Sequence, residues 1–153
     1  MHSMLPAILL AAALAGCASV PIAPLPSVPP GASSEVVVYR ESAFAAGGVG
    51  LAVGSSGHAF AVLANAEKVR ARMPPGEHEI FVQARSAEPT RQRVKLSPGR
   101  TVCLRTSASP STLAKVLVPI TLIATGYHFY LYEVPCPPES ELGKYKDIPV
   151  TYR

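Results

Sequence analysis

One pattern constrains the fold of this chain more than any other: short runs in which apolar and polar residues alternate, separated by turn-forming residues. Side chains of a β-strand point alternately to the two faces of the sheet, so a period of two predicts strands with one buried face. Between Glu67 and Met73, for example, every second residue is basic. The runs predicted as strands are 35–40, 51–53, 58–63, 67–73, 78–85, 91–96, 100–106 and 127–134.

The segments between these runs carry strong turn signals, among them Pro74-Pro75-Gly76 and Ser97-Pro98-Gly99. Proline fixes φ, and glycine accepts the left-handed conformation that tight turns need. Short strands with turn signals every 8 to 12 residues or so are typical of antiparallel sandwiches and barrels. The sequence therefore predicts an all-β fold, a small antiparallel β-sandwich, over residues 35–136.

The N-terminus holds an apolar run from Leu5 to Leu14 that ends in Leu14-Ala15-Gly16-Cys17. Such a run is typical of a secretory signal and is too short to span a bilayer. A cysteine at this place favours attachment of a lipid to its thiol and cleavage just before it. We therefore predict a signal peptide at 1–16 and lipidation of Cys17, which anchors the mature chain to membrane lipid. A cleaved signal without lipid and an N-terminal core helix are the alternatives.

Residues 17–34 have five prolines and no charged residue. This composition predicts an extended linker between the lipidated cysteine and the sandwich. Ala18, in place of an aspartate after Cys17, favours the periplasmic face of the outer membrane, with the inner membrane as the alternative. Residues 137–153 are predicted to form a C-terminal tail.

Two further cysteines, Cys103 and Cys136, follow Cys17. An even pair in an exported protein predicts a disulfide, because the compartments outside the cytosol are oxidising. A buried pair of thiols is the alternative. A redox site is disfavoured, since the two residues lack CxxC spacing.

The net charge of +4 comes from basic residues concentrated in the middle of the chain. Two alternating strands each carry three cations on one face, and neighbouring positions in one sheet would unite the six on one surface. This hypothesis makes anionic envelope polymers the partner, and a solvated outer face is the alternative. Nucleic acid is not expected, because no stacking motif or recognition helix accompanies the charges. The candidate anion-binding residues are Lys68, Arg70, Arg72, Arg91, Arg93 and Lys95.

Catalytic and metal motifs are not evident in the sequence. His58, His78 and His128 all lie in predicted strands, and none has a second ligand at metal-binding spacing. Serine and cysteine residues do not occur in the motifs of activated nucleophiles. We therefore expect no metal, no cofactor and no enzymatic activity.

A second apolar stretch runs from Leu113 to Thr125, and Lys115 and Pro119 interrupt it. It is too short to span a membrane. Its central part, Val116 to Ile123, is a candidate docking segment for an envelope protein, which would make the chain a subunit of a membrane-bound assembly.

The order of motifs resembles a group of small bacterial lipoproteins whose shared domain has no known function and is similar to PEGA-type β-sandwich modules. The resemblance rests on the VVVYR strand and on four further motifs at 57–65, 73–80, 96–99 and 126–129. This chain departs from the group at Ser56, where an aspartate is common, and in the apolar insertion around 113–124. The resemblance implies a membrane-anchored, non-catalytic binding or scaffolding module of the cell envelope. An envelope assembly subunit and an envelope-remodelling enzyme are the alternatives.

Overall fold

The alternating segments form the strands of two stacked sheets. The structure is a computed structural model, and it describes residues 20–43, 46–112 and 126–153. Within these ranges the strands are β1 (Ser34–Arg40), β2 (Leu51–Ser55), β3 (His58–Leu63), β4 (Glu67–Met73), β5 (Gly76–Ala84), β6 (Thr90–Leu96), β7 (Thr101–Ala108), β8 (Phe129–Val134) and β9 (Lys146–Ile148). The described elements also include a short helix, α1 (Glu139–Leu142), and a 3-10 turn at Pro30–Ala32.

One sheet has five strands in the order β8-β7-β1-β4-β9, and the other has four in the order β3-β2-β5-β6. The predicted all-β sandwich is therefore confirmed. Two pairs, β1 with β7 and β4 with β9, are parallel, whereas the remaining neighbours are antiparallel. The strands of each parallel pair are far apart in the chain, so neither pair is joined by a hairpin.

The core lies between the two sheets and consists of the inward-facing residues of the alternating strands. Val36 and Val38 of β1, for example, pack with Val53 of β2 and Ile80 of β5, and all four are fully buried. Burying one such side chain contributes about 1.5 to 3 kcal/mol to folding.

The segment after Cys136 forms a further layer on the five-stranded sheet. Leu142 of α1 packs on the outward-facing Val37, Tyr39 and Cys103. Three residues further on, the ring of Tyr145 packs against that of Tyr39 in a tilted arrangement, with the ring centroids 5.1 Å apart. The chain then pairs with β4 as the edge strand β9. The region predicted as a tail therefore covers a face of the sandwich.

The proline-rich segment also contacts the sandwich. The amide of Ala23 donates to the Ala59 carbonyl at 2.8 Å, and the amides of Leu25 and Ser27 donate to Thr151 and Arg153, each at 2.9 Å. Prolines at 24 and 26 alternate with these donors, so the positions without an N–H point away from the partner strands. From Val20 onward, the chain is therefore bound along the edge of the sandwich rather than extended as a free linker.

Candidate functional site: the outer faces of the two sheets

The six predicted cations do not form one surface. Lys68, Arg70 and Arg72 belong to β4 in the five-stranded sheet, whereas the cations of β6 belong to the four-stranded sheet. Their two strands lie in different layers, so the single six-cation face of the sequence hypothesis is wrong. Alternation along each strand assigns its faces but does not reveal which strand is its neighbour.

The cations of β4 are bound by the C-terminal segment. The Lys68 ammonium, with its side chain 4% exposed, lies 2.9 Å from an Asp147 carboxylate oxygen and donates to the Tyr145 carbonyl at 2.8 Å. Arg70 donates to Glu139 at 2.7 Å. These contacts hold the C-terminal layer in place and leave β4 little capacity for an external anion.

Arg72 is the third cation of β4, and it meets the last residues of the chain. Its guanidinium carbon lies 5.3 Å from the ring centroid of Tyr152, and its backbone amide donates to the Tyr152 hydroxyl at 2.9 Å. The sequence analysis missed these partners. For the partners of Lys68 and Arg70 the sequence does hold a signal, namely the carboxylates of 139–147, which complement the charge of β4.

The cations of β6 remain on the outer face of the four-stranded sheet. Arg91 forms an ion pair with Glu79 at 3.1 Å. In the register of β5 and β6, Arg93 lies opposite Glu79 and Lys95 lies opposite Glu77. Within the part of the chain that the structure describes, neither Arg93 nor Lys95 forms an ion pair, and both are exposed. The accessible part of the predicted anion-binding set is therefore the β6 cations.

The proline-rich segment crosses onto this same outer face. Val20 packs on a small apolar cluster formed by Ala52, Ala59 and Phe81. The Phe81 ring lies directly over Gly54, where a Cβ atom would collide with the ring and with the His58 carbonyl. Gly54 thus leaves the space that the Phe81 ring occupies, next to the incoming segment.

Two open grooves flank Val20 on the four-stranded sheet. The larger, about 550 Å³, runs along Phe81 and Pro89 to Arg91. The smaller, about 220 Å³, lies between Val62 and Arg85. Both have a mixed apolar and polar lining, and both use Val20 as a wall.

The predicted disulfide between Cys103 and Cys136 is confirmed. It joins β7 to the start of the C-terminal layer. Beside it is an open cleft of about 520 Å³, which is lined by Lys95, Arg100 and Glu133 as well as the two cysteines. The disulfide therefore has a structural position, at the point where the chain turns from β8 across the five-stranded sheet.

Two tyrosines at the contact between the sheet and the C-terminal layer have perturbed acidities. Burial raises the pKa of Tyr39 above its ordinary value of 10.0, and the neighbouring Tyr145 raises it further. Burial likewise raises the pKa of Tyr145, with Glu41 as the next contribution. Both effects disfavour the phenolate in the folded state.

A buried arginine holds the glycine-rich loop between β1 and β2. Arg40 donates to the carbonyls of Ala46, Val49 and Leu63 and lies over the Phe129 ring at 4.9 Å. Burial lowers its pKa, and this effect is opposed by Glu67. The guanidinium is thus engaged by backbone carbonyls, and its position indicates a structural role.

Two of the three histidines in the described residues line one groove. His58 and His78 face a space of about 300 Å³ next to Ser55 and Met73. Their ring nitrogens contact the backbone carbonyls of Ser56 and Pro74 at 3.1 and 2.8 Å. Among residues 20–43, 46–112 and 126–153, no group of three or more histidine, cysteine or acidic side chains is placed to hold a metal ion.

His128 lies apart from the other two histidines, where the chain returns to β8. Its backbone amide donates to the Thr112 hydroxyl at 2.9 Å, and that hydroxyl donates to the His128 carbonyl at 3.0 Å. The candidate docking segment, Val116 to Ile123, lies between these two residues in the sequence. Both this segment and Cys17 are outside the described residues. In the described portion, no helix has the length and apolar character needed to cross a membrane.

Fold and surfaces together define a small β-sandwich domain to which both flanking segments are bound. No protein-family model, no curated protein and no solved structure matches this chain. The resemblance to small bacterial lipoproteins therefore stays a prediction from the sequence.

Proposed function

We propose that this protein is a lipid-anchored lipoprotein of the bacterial cell envelope that acts as a non-catalytic binding or scaffolding module. The observation that carries the location is the disulfide between Cys103 and Cys136. Disulfides persist in the periplasm and outside the cell, whereas the cytosol keeps thiols reduced. This supports the secretory reading of residues 1–16 and, with it, the lipidation of Cys17.

The surfaces of the described residues favour binding over catalysis. The grooves are open and are lined by residues of several strands. Among the hydrogen bonds of the described residues, none joins a hydroxyl or thiol to a histidine ring. A disulfide and two bound terminal segments give a stiff support, which suits a module that presents a surface to a partner.

The anchor is tested by intact-mass analysis of the protein extracted from membranes of its native host. We expect a mature chain that begins at Cys17 and carries the mass of a diacylglycerol. Cys17→Ala is the matched control, and it should remain at full length. An unmodified thiol in a full-length chain would contradict the proposed location.

We propose the accessible cations of β6 as the contact with anionic envelope components. The test is pull-down with lipopolysaccharide and with peptidoglycan at low salt, comparing Arg93→Ser/Lys95→Ser with Lys144→Ser/Lys146→Ser. Each pair removes two positive charges, but only the first pair lies on β6. Equal binding by the two variants would mean that the β6 cations only face solvent and do not contact these polymers.

A second candidate function is that of an envelope assembly subunit that docks through Val116 to Ile123. The supporting observation is that Thr112 and His128 are hydrogen-bonded to each other, so both ends of this segment are fixed at one place on the sandwich. We would replace residues 113–125 by a short Gly-Ser linker and compare the sizes of the detergent-extracted complexes by gel filtration. A loss of the larger species would support docking, and an unchanged profile would argue against it.

A further inference from the structure

The path of the proline-rich segment determines where the predicted anchor is located relative to the sandwich. The segment leaves the edge of the sandwich at Ala59 and ends, in the described residues, at Val20 on the outer face of the four-stranded sheet. Val20 packs there on Ala52 and Phe81. The described chain thus begins on one particular face of the sandwich, three residues after Cys17.

The remaining reach is short. Three residue steps separate Val20 from Cys17, and consecutive Cα atoms are 3.8 Å apart, so the two Cα atoms are at most about 11 Å apart. A linker free from residue 17 to residue 34 would extend about 50 Å at 3.1 Å per residue. The contacts of Ala23, Leu25 and Ser27 remove most of that length.

We propose that the outer face of the four-stranded sheet is the surface that rests on the membrane holding Cys17, so that lipid headgroups are its partner. This proposal rests on the lipidation of Cys17 in the proposed function. A sandwich on so short a tether cannot move far from the bilayer surface, and the tether ends on this face. The C-terminal layer, on the outer side of the other sheet, then points away from the membrane.

The chemistry of the face suits a lipid surface. Ile22 and Val62, next to Val20, are 62% and 41% exposed and can enter the boundary between headgroups and acyl chains. Arg93 and Lys95 have long side chains whose cationic ends can reach phosphates while their apolar stems cover the sheet.

Arg93 and Lys95 lie opposite Glu79 and Glu77 in the register of the sheet, so the positive charge of this face is partly neutralised, and Arg85 and Arg91 leave a small surplus. The long-range field of this surplus is weak. The tether sets the orientation, and we expect the orientation to persist at high salt, where exposed charges are screened.

The experiment compares two exposed lysines of the same molecule. Lys95 lies at the margin of the proposed membrane face, beside the disulfide cleft, and Lys144 lies in the C-terminal layer on the outer side of the other sheet. Full-length lipoprotein, purified from membranes, is inserted into vesicles of phosphatidylethanolamine and phosphatidylglycerol and acetylated briefly. Mass spectrometry then measures the modification of each lysine and, in the same sample, the lipid on Cys17.

A matched variant carries a flexible insertion of about 20 Gly and Ser residues between Ser19 and Val20, which adds a root-mean-square length of about 25 Å. Suppose that about three quarters of the molecules without the insertion have this face on the membrane. Their Lys95 is then acetylated about fourfold more slowly than it would be without the membrane contact. Lys144 should not change, and the insertion should restore the reactivity of Lys95.

Acetylation of Lys95, relative to Lys144, that is as fast in vesicles as in detergent, in protein whose Cys17 carries lipid, would overturn the orientation while leaving the proposed function intact. Absence of lipid on Cys17 would instead overturn the proposed function itself. Protection of Lys95 that survives the insertion would refute the claim that the tether sets the orientation.

Discussion

Replacing Leu142 by alanine tests the C-terminal layer most specifically. Leu142 is 2% exposed and packs on Val37, Tyr39 and Cys103. A buried Leu→Ala change costs about 3 kcal/mol, within a range of about 2 to 5 kcal/mol. The segment cannot simply detach to avoid this cost, because the disulfide holds it before α1 and pairing with β4 holds it afterwards.

The assay is urea unfolding of the oxidised domain. With a urea slope of about 2 kcal/mol per molar, a loss of about 3 kcal/mol lowers the unfolding midpoint by about 1.5 M at an unchanged slope. Ser140→Ala is the matched control, since Ser140 is an exposed residue of the same helix. Its unfolding free energy should change by less than about 0.5 kcal/mol. Equal midpoints for the two variants would refute packing of α1 on the five-stranded sheet.

Three further perturbations act on the same layer. Asp147→Asn leaves the buried Lys68 ammonium with the Tyr145 carbonyl as its acceptor. Since Asp147 is 66% exposed and screened by solvent, we expect the unfolding free energy measured in urea to fall by about 1 kcal/mol. Reducing the disulfide that ends at Cys136 opens a loop between residues 33 positions apart, so the unfolding free energy should fall by roughly 4 kcal/mol and the melting temperature by about 15 °C. Raising the pH above 10.0 should destabilise the fold, because the pKa values of Tyr39 and Tyr145 are raised in the folded state. Their contribution to stability is complete below pH 10.0 and is lost as the pH rises through their folded-state pKa values.

Each of these outcomes has its own control. For Asp147→Asn the control is Glu141→Gln, which removes a carboxylate from an exposed position of α1 and should leave the urea midpoint unchanged. If the two variants lost equal stability, the loss in Asp147→Asn would be a general effect of charge. A melting temperature insensitive to reductant would show that the loop is held without its disulfide. Tyr39→Phe should flatten the alkaline decline, and an unchanged decline would assign it to other groups.

The strands were predictable because alternation is a local property of the chain. β3 and β4 have the predicted bounds, His58–Leu63 and Glu67–Met73. The disulfide followed from the number of cysteines and the expected compartment. What alternation lacks is information about neighbours, so the separation of Lys68 from Arg91 into different sheets emerged only from the structure.

The two terminal segments were not predictable for a different reason. β9 has three residues, and its stability comes from pairing with β4 and from the Lys68–Asp147 contact rather than from its own sequence pattern. The segment 20–27 has the composition of a free linker, yet its alternating prolines leave a row of amide donors on one side. In both segments the decisive partners are distant in sequence, and composition does not reveal them.

Hydrogen exchange at Ala23, Leu25 and Ser27 most directly tests the claim that the proline-rich segment is bound to the sandwich and brings Cys17 to one of its faces. Their amides donate to Ala59, Thr151 and Arg153, so we predict exchange much slower than in an unstructured chain, with protection lost together when the contact opens. Exchange at the rate of an unstructured peptide at all three amides would contradict the account, because the segment would then be a free linker and the anchor would have no preferred face.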